Sequence, residues 1–166
     1  MIEVLNDERL TTVGLLFESS AALRRVLEQH LTENSDLSSQ SFDVLIRLAR
    51  SPGNRLRMSE LAAQTTLTPS GLTRSVDRLE HSGMVSRESC PEDRRGAFAV
   101  LTEQGRAVMA RAIPGHVAHI DEVLTGILTA GEEQALAAIL RKLRDHLYDV
   151  APPCGGDGSA ACPEDA

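Results

Sequence analysis

The sequence predicts a mainly helical fold that carries one small β-hairpin, and three observations point that way. Apolar residues recur at the three-and-four spacing of a helix through most of residues 6–150. Aromatic residues are nearly absent: Phe17, Phe42, Phe98 and Tyr148 are the whole set, so the core must come from Leu, Ile, Val and Ala, which suits packed helices. One stretch breaks the helical pattern, since residues 84–89 alternate and 97–101 run apolar on either side of a polar loop, Cys90 to Gly96.

The elements follow in order. A first long helix is expected from Asn6, with Asp7 and Glu8 in its opening turn where the helix dipole favours acids, through Leu10, Val13, Leu16, Phe17, Leu23, Val26 and Leu27 to about Asn34. A second begins after Leu37-Ser38, carries Phe42, Leu45, Ile46 and Ala49, and stops at the breaker Ser51-Pro52-Gly53. Leu56 to Met58 reads as a very short strand, and Ser59-Glu60 opens a short helix through Leu61, Ala62 and Thr65. The next helix has well-marked ends: Thr68 caps it, Pro69 takes the first helical position, and Gly83 closes it. Leu67 and Leu72 are spaced for a hydrophobic staple across that cap. After the hairpin, Thr102 caps a long helix through Val108, Ile113, Val117, Ile120 and Leu124, which Pro114 should kink or split. A last helix follows Gly131 with Leu136, Ile139, Leu140, Leu143 and Leu147, and residues 151–166 have the composition of a disordered tail.

At 166 residues the chain suffices for one domain, or one with an extension. No segment nears the roughly 18 consecutive apolar residues of a membrane span, and the start lacks the basic-then-apolar pattern of a secretion signal. Cys90, Cys154 and Cys162 have no metal-site spacing. A reduced, cytoplasmic setting with inert thiols is the expectation. A Gly-rich phosphate loop, a nucleophile elbow and an H-E-x-x-H sequence are all missing, so no enzyme activity is expected. Glu132 and Glu133 read as charges at a helix N-terminus. The net charge of −7 argues at first against nucleic acid. Its distribution argues otherwise: residues 55–95 hold seven arginines against six acids, a balance of +1 that leaves −8 for the remainder.

Placed on a wheel of roughly 100° per residue, Val76 and Leu79 fall within about 40° of Leu72, a narrow apolar seam. Ser70, Arg74, Asp77, Arg78 and His81 fall on the far side, with Thr73 on the flank. Short helix, turn, capped helix and hairpin are the parts of a winged helix-turn-helix. A helix in the major groove needs hydrogen-bonding side chains toward its N-terminus, and Ser70 and Thr73 are short enough to approach bases. Arg74 can grip a guanine with both ends of its guanidinium, and Arg78, a turn later, suits backbone phosphate. At the hairpin tip, Arg94 and Arg95 can enter a narrow minor groove, with Asp93 orienting Arg95. An ordinary solvated helix face and a solvated charged turn are the competing readings.

The residues that carry a family resemblance are Leu37-Ser38 before Phe42-x-Val44-Leu45, then Ser59-Glu60-Leu61-Ala62, Leu72-Thr73-Arg74-x-Val76-x-Arg78-Leu79-Glu80 and Gly83-Met84-Val85-x-Arg87. With Asp93-Arg94-Arg95 and Leu101-Thr102-x-x-Gly105 they resemble the multiple-antibiotic-resistance regulator (MarR) family, specifically over residues 37–105 and by helix lengths to about 150. The resemblance implies a homodimer whose first, fifth and sixth helices interleave, a recognition helix in the major groove and a wing arginine, Arg95, in the minor groove. It implies a ligand-responsive regulator, usually a repressor, with a pocket similar to those in which many members of the family hold small phenolic or lipophilic molecules; no residue here identifies the effector. The domains expected are 1–36 and 102–150 for dimerisation, 37–101 for double-stranded DNA and 151–166 as tail. The terminal helices argue for the dimer independently, since they offer more apolar positions than a small winged helix can bury. A twofold dimer reads a pseudo-palindrome with half-sites about 10 bp apart.

Two sensor alternatives stay open. His116 and His119, with Asp121 and Glu122 nearby and His30 or His81 to complete the set, suit a zinc-responsive regulator of the same fold, against plain surface histidines. Cys90 at the wing base is a candidate oxidation sensor, against an unreactive thiol. A third alternative is a winged-helix protein-interaction module that does not bind DNA, which the acidic charge motivates.

Overall fold

The structure, a computed structural model of the chain, describes residues 7–35, 37–65, 67–90 and 93–150, with the backbone alone for 93–95. The expected cap Asn6 and the tail 151–166, with Cys154 and Cys162, lie outside the described residues. Helix α1 spans Glu8–Ser35, and the residue before it, Asp7, takes the capping role by accepting the Arg9 N–H at 2.9 Å. Helix α2 (Ser39–Arg50) starts on Ser38, whose Oγ accepts the Ser41 N–H at 3.1 Å. Strand β1 (Arg55–Arg57) leads directly into α3 (Met58–Gln64), which begins one residue before the expected Ser59. The carboxylate of Glu60 folds back to accept the Arg57 N–H at 3.0 Å and so pins that start.

Helix α4 (Pro69–His81) is followed by β2 (Val85–Cys90) and β3 (Asp93–Leu101). The sheet is antiparallel in the order β1-β3-β2, with Leu56 opposite Ala99 and Arg87 opposite Ala99 from the other side. The strands run further than their hydrophobic pattern indicates. Instead of a loop from Cys90 to Gly96, β2 keeps Cys90 and β3 starts at Asp93, with an irregularity between Ser89 and Cys90. Backbone pairing does not need apolar side chains, which is why the polar half of the ladder was invisible to the pattern.

One core ties these elements together. Val44, Leu45 and Leu48 of α2, Leu61 of α3, Leu72, Val76 and Leu79 of α4, Val85, Ala99 and Leu101 of the sheet and Met109 of α5 are all buried. Each fully buried Leu or Val contributes about 1.5–3 kcal/mol. Helix α5 (Glu103–Val123) joins this core through its first turns. Thr102 Oγ accepts the Gly105 N–H at 3.0 Å and donates to the Gly83 carbonyl at 2.7 Å, so one hydroxyl caps α5 and fastens it to the end of α4. A Cβ on Gly105 would stand 2.2 Å from the Met84 carbonyl oxygen, so only glycine permits this approach.

Pro114 does not split α5, which runs unbroken to Val123. The carbonyl deprived of its partner belongs to Ala110, and both residues are exposed, so water can satisfy it. A 3-10 turn, Thr125–Ile127, extends α5, and the break comes after Ile127, where the chain bends by 104° into α6 (Ala130–Val150). Thr129 and Glu132 cap α6 reciprocally, the carboxylate accepting the Thr129 N–H at 2.8 Å. That backbone hydrogen bond, then the Thr129 hydroxyl, holds the Glu132 carboxyl below its ordinary pKa. No residue of α6 is buried, and no single helix among the described residues is long and apolar enough to cross a membrane.

Candidate nucleic-acid interface

The start of α4 is built by its own sequence. Thr68 Oγ1 accepts the Gly71 N–H at 3.2 Å, and Pro69 supplies a helical φ where no donor is needed. Its end is a complete Schellman motif: Gly83, at φ +73°, donates to the Glu80 carbonyl and Met84 donates to that of Leu79, each at 2.9 Å. Between these ends the helix divides as the wheel indicated. Leu72, Val76 and Leu79 are buried, while Ser70, Thr73, Arg74, Asp77, Arg78 and His81 are exposed. Ser75 joins the buried side, and its Oγ has no hydrogen-bond partner among the described residues.

The exposed groups differ in how firmly they are held. Thr73 Oγ1 donates to the Pro69 carbonyl at 3.0 Å, leaving its lone pairs outward, and Ser70 Oγ lies 3.4 Å from Thr68 Oγ1. Arg78 reaches back to Gln40 Oε1 on α2 at 3.4 Å, a long contact that a stronger acceptor would displace. Arg74 has no hydrogen-bond or ion-pair partner among the described residues, so its guanidinium is free for a ligand.

Sequence reasoning overlooked the group that joins this helix to the hairpin. Arg87 on β2 donates Nη2–H to Asp77 Oδ1 at 2.6 Å and Nη1–H to Glu80 Oε2. Burial opposes its charge, but the two carboxylates hold its pKa above the ordinary arginine value. The i, i+3 pair of acids on α4 was the available signal; the strand register that brings Arg87 opposite them was not readable. The backbone of Asp93, Arg94 and Arg95 forms the opening of β3, and their side chains, including the proposed Asp93–Arg95 contact, lie outside the described residues. At the base of the hairpin, Arg57 and Arg55 lie over the Phe98 ring at 5.6 and 5.0 Å. Cys90 is buried and accepts from Arg57 Nη2 at 3.3 Å, so the exposure required of an oxidation sensor is missing.

The histidines gather where α1 meets α5. His30 stacks on His119 with ring centroids 4.2 Å apart and planes at 10°, and His116 lies 6.0 Å from His30 and 4.6 Å from the Phe42 ring. Stacking sets ring faces together rather than aiming nitrogens at one point. No group of three metal-ligating side chains occurs among the described residues, and His81 is remote on α4. His116 is buried, and burial, followed by the neighbouring His30 and His119, lowers its pKa below 6.5. Its ring also borders a cleft of about 460 Å³ between α1 and α2, whose walls include Arg24, Leu27, Leu31 and Phe42.

A short helix, a turn, a capped helix with an exposed polar face and a hairpin fastened beside it make a winged helix-turn-helix, the architecture of DNA-binding transcription regulators. Residues 35–96 match the model of the MarR family. The transcriptional regulator HosA of Escherichia coli O111:H- is 32% identical over 126 residues, covering 73% of this chain and 90% of HosA. The HTH-type transcriptional repressor YetL of Bacillus subtilis is 33% identical over 109 residues, which span 66% of this chain but only 65% of YetL. Among solved structures, Sco3205, a MarR family transcriptional regulator from Streptomyces coelicolor in complex with DNA, superposes with a TM-score of 0.81 at 34% identity, covering 89% of this chain and 97% of Sco3205. The chain belongs to the MarR family of transcription regulators and is not an enzyme.

Proposed function

We propose that the chain is a homodimeric, ligand-responsive repressor of the cytoplasm that reads a pseudo-palindromic operator in double-stranded DNA. The observation that carries this reading is the exposed face of α4, where Ser70, Thr73 and Arg78 surround an Arg74 with no partner among the described residues. In this reading α4 enters the major groove, Arg74 reads a guanine and Arg78 holds phosphate. The wing, residues 93–95, follows the adjacent minor groove with Arg95 as its reader. The solved complex of Sco3205 with DNA supports the assignment.

Residues 37–101 then form the DNA-binding domain, and 1–36 with 102–150 the dimerisation region. Support for the dimer comes from the apolar residues left exposed in one protomer: Phe17 of α1 at 67%, Ile139 of α6 at 56% and Leu147 at 55%. The cleft between α1 and α2 suits a small effector, because a molecule wedged there bears on both regions at once. Phe42 and His116 are the ring-bearing residues of its walls, and the rest are aliphatic, polar or charged.

A gel-shift with duplexes from the protein's own promoter region, at low and moderate salt, separates this reading from a protein-interaction module. Arg95→Ala should weaken the shift while leaving fold and dimer intact. No shift of any fragment at low salt favours the module.

A further inference from the structure

One ion-pair assembly among the described residues of the DNA-binding domain has no part in the proposed function. Arg87 sits on the wing strand, and its guanidinium spans two carboxylates one turn apart on α4. We propose that Arg87 is a positioning residue for DNA recognition, holding the wing to the recognition helix and masking Asp77 and Glu80 from the phosphate backbone. The proposal rests on α4 being the groove helix.

Three observations carry it. First, Asp77 projects from the same side of α4 as Arg74 and its side chain is 54% exposed, so an unpaired carboxylate there would face the duplex beside the residue meant to grip it. Second, the acids Asp77 and Glu80 cancel the cations Arg74 and Arg78 within α4, and Arg87 is the cation that answers those two acids from β2. Phosphate attraction is electrostatic and local, so that one charge matters more than the chain's net charge. Third, both arms of the Arg87 fork are engaged and its side chain is only 28% exposed, so it acts on DNA through its partners rather than by contact. A lysine could not reproduce this, because an ammonium is a point charge without a fork. Fold stability is the weaker account, since both carboxylates stand largely in solvent, at 54% and 40% exposed, and ion pairs open to water on one side add little to it.

The test titrates four forms of the full chain: native, Arg87→Ala, Arg87→Lys, and Arg87→Ala combined with Asp77→Asn and Glu80→Gln. The probes are a duplex recovered by the native chain from a randomised library and a shuffled duplex of the same composition, with thermal melting of each protein alongside. Arg87→Ala should bind the selected duplex roughly tenfold more weakly, as unmasked like charges predict, at a nearly unchanged melting temperature. Arg87→Lys should restore only part of the loss. The triple variant should regain affinity for the selected duplex, because the repulsion is gone, yet discriminate less against the shuffled one, because the wing is no longer tied. Native-like binding by Arg87→Ala overturns the proposal. So does a triple variant as weak as Arg87→Ala, which would mean that Arg87 touches DNA itself. Recovery of a duplex by the native chain tests the underlying function separately, and failure there removes both readings.

Discussion

Arg74 and Arg87 are both arginines beside the same helix face, and their surroundings give them opposite tasks. Arg87 is spent on two carboxylates, whereas Arg74 points outward with no partner among the described residues. If Arg74 grips a guanine as proposed, Arg74→Ala should cost about 1–3 kcal/mol of operator binding and relax the preference at one base pair. Competition titrations with single-base variants of the operator check this, and a uniform loss at every position would contradict it. His116 supports a second prediction. Burial, then two neighbouring imidazoles, lowers its pKa in the fold, whereas in the unfolded chain it takes up a proton at its ordinary value near 6.5. The unfolded state therefore binds more protons as pH falls below about 6.5, so stability is full above that pH and declines below it. Its Nδ1 also has no hydrogen-bond partner among the described residues, so exchanging the ring for an apolar side chain removes a desolvation penalty. His116→Leu should melt no lower than the native chain at neutral pH and should flatten the decline in acid. Melting curves from about pH 5 to 8 decide it, and an unchanged slope counts against the assignment.

At the scale of elements, the joint between α4, β2 and α5 concentrates the most demanding geometry. Thr102 and Gly105 serve it together: the hydroxyl bridges a helix cap and the Gly83 carbonyl, and the missing side chain lets α5 lie on the Met84 backbone. Thr102→Ala should lower stability by about 1–2 kcal/mol through the lost cap. Gly105→Ala should cost more, at least about 3 kcal/mol, because backbone on both sides must move. Urea unfolding of the two variants gives the order directly, and a Gly105→Ala milder than Thr102→Ala would refute the close-approach argument. The leucine-threonine-glycine spacing was legible as a family resemblance; its physical reason was not, because the clash partner Met84 is on another element. The ends of α4 were legible outright, since Thr68, Pro69 and Gly83 act within a few residues of themselves. The strand lengths were not, because the polar part of the hairpin is set by backbone pairing across the ladder.

On the scale of the whole molecule, the acidic body and the weakly basic DNA-binding module pull in different directions. Net charge of −7 limits nonspecific attraction to DNA, so the affinity that remains should depend on local contacts and fall steeply with salt. Helix α6 has no buried residue in one protomer, and the apolar row of Ile139, Leu143 and Leu147 is left uncovered. If a second copy covers it, Ile139→Glu with Leu147→Glu should yield a monomer in sedimentation velocity. Such a monomer would lose the second half-site and with it about 100-fold or more in operator affinity. A double variant that stays dimeric would place the interface elsewhere.

Local chemistry was readable along the chain: helix periods, caps, breakers and the two faces of α4 depend on residues a few positions apart, and interactions at that range leave a pattern in the order of amino acids. Contacts across elements were decided only in three dimensions. Arg87 met Asp77 and Glu80, His30 met His119, and Cys90 was buried against Arg57, because packing brings together residues that no spacing rule connects.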